Sequence, residues 1–264
     1  MESVNKKLHA KCKIVDGEAK AAYDRAVSGI IEYEDLAEKV YKSLKEMILD
    51  GQLAPGEKLR QEELSEKLGV SRTPLAAAFS KLEKEMLVEL LPRRGARVRS
   101  LSYAELMDLF EVRARLEPLG AWRAARAVAE GAIDAGALRV ALAAYRAAIE
   151  EGSSPAIKRA DYEFHLALMR LGGNEALYRI VSSFNIVFIS NQRGLLKPAQ
   201  QSLAEHEELA AAVERGDALA AEAIMTRHLD GARRALHARA EGEVSAEGEV
   251  SAERESRAEG EARA

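Results

Sequence analysis

GEKLRQEELSEKLGVSRTP, residues 56–74, together with LEKEMLVELLPRRGARV, residues 82–98, decides the fold. A short helix is predicted from about Gln61 to Leu68, stopped by Gly69. A second begins at Ser71, with Arg72, Thr73 and Pro74 in its first turn, where a small polar cap and an early proline both favour a helix start. Leu87–Leu91 and Ala96–Ser100 read as two short strands around Pro92-Arg93-Arg94-Gly95, a composition suited to a hairpin. Upstream, Leu36, Val40, Leu44 and Ile48 recur every four residues between Asp35 as a cap and Gly51 as a stop, which predicts a first helix. A helix, a tight turn, a helix and a hairpin make a winged helix-turn-helix.

Charge agrees with that reading only when it is taken locally. The net charge is −4, but residues 241–264 hold eight Glu against three Arg, whereas Arg72 to Arg99 hold seven Lys or Arg against three Glu. The basic excess therefore lies on the hairpin and the second helix, where a contact with DNA phosphates belongs. The exposed start of that helix, with free backbone N–H groups, favours a phosphate, and Arg72 can reach a guanine edge. Arg60, Arg93 and Arg94 are placed to hold the flanking backbone. Taken one at a time, each arginine is better read as a solvated surface charge; it is the constellation together that points to DNA.

These two segments resemble the winged helix of the GntR transcription regulators over residues 36–100. The resemblance implies that Arg60, Ser71, Arg72, Thr73, Arg93, Arg94 and Gly95 fall on DNA-touching positions. Where the family usually continues after SRTP with an Arg-Glu pair, this chain has Ala76-Ala77, so one expected contact is missing.

From Ser102 onward the pattern is helical throughout. Ser102 and Glu105 form a capping box, and helices are predicted from there through Val128, with a kink at Pro118, then over 134–150, 155–171, 174–192, 200–214 and 217–239. Short glycine-marked breaks between them suit an antiparallel bundle. The expected organisation is an extension of unknown order at 1–34, a winged helix at 35–101, an all-helical effector-binding and dimerisation domain at 102–240, and a tail at 241–264. The tail repeats EGEVSA twice, has almost nothing apolar to bury, and is expected to be disordered. No stretch is apolar for long enough to span a membrane, and a single cysteine, Cys12, suits a reducing compartment, so a cytoplasmic protein is expected.

Asp161 and His165 stand four apart, which on a helix puts both on one face about 6 Å apart, a spacing suited to one cation. His206 and His228 lie on two later helices separated by the break at Arg215-Gly216-Asp217, so a helical hairpin can bring them level. Three imidazoles and a carboxylate suit Zn²⁺, Ni²⁺ or Mn²⁺. The segments EVRARLE, 111–117, and ADYEFHLALMRLGGN, 160–174, with the two later histidines, resemble the ligand-binding FCD domain of the FadR-type branch of the same family over 102–238. That resemblance implies Asp161, His165, His206 and His228 as metal ligands, Arg113 as the partner of a small organic-acid effector, and a homodimer on a palindromic operator, usually a repressor. His9 and His237 match nothing in the pattern. Two other classes stay open: a DNA-binding protein whose metal is purely structural, and a metal-dependent hydrolase. The second needs a general base, and Glu163, Glu205 and Glu207 all point off the face that carries the neighbouring ligand.

Overall fold

The computed structural model describes residues 36–92, 94–183, 185 and 194–262. Asp35, Arg93 and the extension at 1–34 lie outside the described residues. Helix α1 spans 36–49 and buries Val40, Leu44 and Ile48, while Leu36 at its start is exposed. Strand β1, Lys58–Leu59, leads to α2, Gln61–Leu68, whose C-cap Gly69 takes a left-handed φ of 64°. Helix α3, Arg72–Lys84, follows with Ser71 at its N-cap. Leu75, Ala78, Phe79 and Leu82 bury one face of α3, leaving Arg72, Thr73, Ala76 and Ala77 on the exposed side.

Strands β2, Val88–Leu91, and β3, Gly95–Val98, pair antiparallel with Leu91 opposite Gly95, and β1 adds to the other edge of β3. This third strand, only two residues long, was not expected from the sequence. It explains Gly95: a Cβ there would sit 2.2 Å from the Leu59 carbonyl oxygen, and the residue has φ +96°. Only glycine allows both that approach and that backbone angle.

The rest is helical: α4 Tyr103–Ala129, α5 Gly136–Glu151, α6 Ser154–Leu171, α7 Glu175–Ser183, α8 Ala199–Glu214 and α9 Ala218–Ala262. Ser102 and Glu105 make the expected capping box, and α4 runs through Pro118 without a break. Helix α4 lies along α9, and it approaches α6 closely because a Cβ on Gly120 would stand 2.2 Å from the Met169 methyl. Residues 241–262 continue α9 as helix, where low complexity had pointed to a disordered tail. Alanine, glutamate and arginine are strong helix formers. Among the described residues no helix is long and apolar enough to cross a membrane.

Candidate DNA interface and metal centre

On the winged helix, basic side chains converge. Lys58, Arg60, Arg72, Arg94 and Arg97 line an open cleft of about 650 Å³ between the start of α2, the start of α3 and the β2–β3 hairpin. Arg60 pairs with Glu63 at 2.9 Å and Arg72 with Glu62 at 2.7 Å, all four side chains being largely exposed. Such surface pairs are worth at most about 1 kcal/mol, so a phosphate can replace the carboxylate at little cost. Ser71 makes no side-chain cap, and it is exposed together with Arg72 and Thr73 at the start of α3. Lys58 in β1 and Arg97 in β3 stand opposite each other, and the sequence did not single them out because the pairing of the two-residue β1 has no periodic signal. Exposed Ala76 and Ala77 mark where the absent Arg-Glu pair would stand.

In the helical domain the four proposed ligands come together from three helices. His165 on α6, His206 on α8 and His228 on α9 each offer a ring nitrogen within 4.8 Å of the others, all buried. Asp161 Oδ1 lies 3.8 Å from His206 Nε2 and 4.0 Å from His165 Nε2. Two atoms bonded to one divalent ion at about 2.1 Å can be no more than about 4.2 Å apart, so the carboxylate already fits and the imidazoles need close by only a fraction of an ångström. The His165 Nε2 and both ring nitrogens of His206 are buried without a hydrogen-bond partner, a costly state that a bound cation would relieve for the nitrogens it ligates. His206 stacks on Phe164 with ring centroids 4.1 Å apart, which fixes its plane. His237, by contrast, is exposed on α9.

Two carboxylates to which the sequence assigned no part in the site contact this cluster. Glu117, fully buried on α4, accepts the His165 Nδ1–H at 2.5 Å and the Arg113 Nε–H at 2.6 Å. Glu205 on α8 accepts the His228 Nδ1–H at 2.6 Å and is paired with Lys197, whose ammonium also donates to the His228 carbonyl at 3.1 Å. Glu117 thereby orients the His165 ring, whose buried Nε2 is left without a partner, while Glu205 and Lys197 together meet the His228 Nδ1. Only the fold brings them near, since Glu117 stands 48 residues from His165 and Glu205 stands 23 from His228.

Electrostatics follow from that burial. Burial would raise Glu117, yet Arg113 and His165 beside it hold it well below the ordinary carboxylate range. Glu205 is likewise opposed by burial but drawn down to about 2 by its hydrogen bonds from His228 and Lys197. Burial lowers His228 to about 4 against the pull of Glu205, and lowers His206 well below the usual imidazole value. Both rings are thus neutral near pH 7, the state in which an imidazole ligates.

Arg113 is buried, packs its guanidinium 4.9 Å above the Phe110 ring, and is committed to Glu117 one turn along α4. It borders a narrow cleft of about 20 Å³ shared with Asp161, Lys197, Ser202 and His228. That space holds little more than a water molecule. Glu163 faces solvent, 3.5 Å from Arg159, and Glu205 is taken by Lys197 and His228.

The chain matches the model of the bacterial regulatory proteins of the gntR family over residues 36–98 and that of the FCD domain over 108–231. A regulator of the helix-turn-helix type in an unstable DNA locus of Streptomyces ambofaciens is 32% identical over 193 residues, covering 72% of this chain and 80% of that protein. The transcriptional repressor RspR of Escherichia coli is 27% identical over 196 residues, or 73% of this chain and 85% of its own length. Among solved structures, a putative GntR transcriptional regulator from Rhodococcus superposes with a TM-score of 0.66 at 22% identity over 76% of this chain and 97% of that one, a likeness of fold.

Proposed function

Since the chain belongs to the GntR family of DNA-binding transcriptional regulators, with an FCD domain behind its winged helix, we propose that a divalent ion at Asp161, His165, His206 and His228 governs its hold on operator DNA. A small organic acid beside Arg113 is the second signal. The observation that carries this reading is the convergence of one carboxylate and three buried imidazoles, two of them with bare nitrogens. When bound, such an ion supplies a Lewis-acidic charge to which a carboxylate can coordinate.

Charge supports the nature of the effector. Counting only the non-imidazole groups, Arg113 and Lys197 face Asp161, Glu117 and Glu205, an excess of one carboxylate that a divalent ion more than offsets. The metal-free site repels an anion, and the loaded site suits a single carboxylate. In this reading residues 35–101 form the DNA-binding unit and 102–240 the sensing and dimerisation unit. Arg60, Ser71, Arg72, Thr73, Arg93, Arg94 and Gly95 meet the operator. Val112 and Leu119, exposed seven residues apart on α4, support a self-complementary face and hence a homodimer on palindromic half-sites. The protein acts as a cytoplasmic repressor whose DNA affinity falls when the acid binds; relatives named as repressors support the sign.

The narrowness of the cleft favours a second reading, in which the ion is structural and nothing further binds. Thermal melts of chelator-treated protein separate the two. Zn²⁺, Ni²⁺ or Mn²⁺ raises Tm in both readings, but only in the first does a panel of short carboxylic acids raise it further, and only with metal present. The same acids then release a duplex enriched from a random DNA pool. If no acid shifts the loaded protein, sensing is refuted; if no metal shifts it, the metal centre is refuted.

A further inference from the structure

Helix α6 serves two sites at once. Asp161 and His165 reach into the candidate metal cluster, while on the same helix Arg159 reaches the winged helix directly and Tyr162 reaches it through Asn185. Arg159 pairs with Glu46 at 2.7 Å and Asp50 at 3.4 Å, at the end of α1 and in the turn after it. Tyr162 is buried and donates its hydroxyl to Asn185 Oδ1 at 3.1 Å. Asn185, fully buried and held at a left-handed φ of 46°, donates its amide to the Glu85 carbonyl at 3.2 Å and lies 3.4 Å from the Glu85 carboxylate. Glu85 is the C-cap of α3, and its carboxylate accepts from Tyr41 at 2.5 Å and Lys45 at 2.8 Å on α1. An unbroken hydrogen-bonded path thus leads from the residue after Asp161 to the end of the helix that begins at Arg72.

We propose that Tyr162 and Asn185 are positioning residues that couple occupancy of the α6 site to the placement of α3, the helix offered to DNA. The proposal rests on the metal reading given above. In this proposal, drawing the ligand nitrogens together from up to 4.8 Å shifts α6 by tenths of an ångström against α8 and α9. Tyr162 shifts with Asp161, its neighbour in the chain. The Asn185 amide is committed at both ends, so it either carries α3 along through Glu85 or loses a buried hydrogen bond. A left-handed asparagine gives the link a fixed shape that few residues can adopt. Arg159 adds a second tie to α1, but an exposed one on its acidic side, which water can replace.

Hydrogen–deuterium exchange on the full chain, with Zn²⁺ alone as the probe, tests this. In the parent protein Zn²⁺ slows exchange across 154–171 and also across 72–91, the latter by roughly fivefold or more, the lower end of ordinary coupling between sites. In Tyr162→Phe, which removes one hydroxyl and keeps the ring, the slowing across 154–171 remains and that across 72–91 is lost. Asn185→Ala behaves the same way, and should it fail to fold, Tyr162→Phe alone decides. Slowing across 72–91 that survives Tyr162→Phe overturns the coupling. So does slowing in the parent confined to 154–171, which leaves the metal reading intact. Slowing in neither segment overturns the metal reading and the coupling together.

Discussion

Replacing Glu117 by glutamine keeps the size of the side chain and removes its charge, which tests the site from behind its ligands. The carboxylate is fully buried between the Arg113 guanidinium at 2.6 Å and the His165 ring at 2.5 Å. Removing one partner of a buried pair leaves the other uncompensated, at a cost of about 3 kcal/mol for a polar replacement. For a chain of this size that corresponds to a fall in Tm of roughly 6–12 °C. A second effect is independent of the first: the amide no longer fixes the His165 tautomer, and loss of such a partner lowers metal affinity by about 10–100-fold. Circular dichroism melts of the metal-free protein measure the first effect, and calorimetric titration with Zn²⁺ at a temperature where the variant is folded measures the second. A lower Tm with unchanged Zn²⁺ affinity would refute the orienting role and leave Glu117 as a purely structural partner of Arg113.

Arg72→Ala is expected to weaken binding to an enriched duplex by about 1–3 kcal/mol in fluorescence anisotropy. Its Tm should stay unchanged, because its pair with Glu62 is exposed. Gly95→Ala forces a Cβ to within 2.2 Å of the Leu59 carbonyl at a φ of +96°, so it should cost on the order of 2–3 kcal/mol in urea unfolding and detach β1 from β3. An unaltered urea midpoint would contradict that close approach. His228 has its folded value lowered to about 4 from 6.5, so the unfolded chain binds the extra proton first. Stability of the metal-free protein should therefore be complete above about pH 6.5 and fall by about 3 kcal/mol on acidification to pH 4. A urea midpoint that stays flat over that window would contradict the buried, neutral imidazole.

The winged helix was legible because its determinants are local. Gly69 turns α2 into α3, Ser71 to Pro74 start α3, and Gly95 carries the hairpin, all within a few residues of the structure they cause. β1 was not legible, since two residues have no period and gain strand form only by pairing with β3. The four candidate residues could be picked out because a helix brings Asp161 and His165 together, a helical hairpin does the same for His206 and His228, and the FCD resemblance singles out the set. Their supporting groups could not. Glu117, Lys197 and Glu205 are ordinary charged residues in sequence, and become a buried network only when α4, α8 and α9 close around α6.

The central claim is met most directly by X-ray diffraction from crystals grown with Zn²⁺, with data collected on both sides of the zinc absorption edge. The account predicts one strong anomalous peak per chain among Asp161, His165, His206 and His228, with Glu117 and Glu205 still on the two Nδ1 atoms. Density showing those imidazoles apart, or zinc bound only elsewhere on the chain, would contradict it.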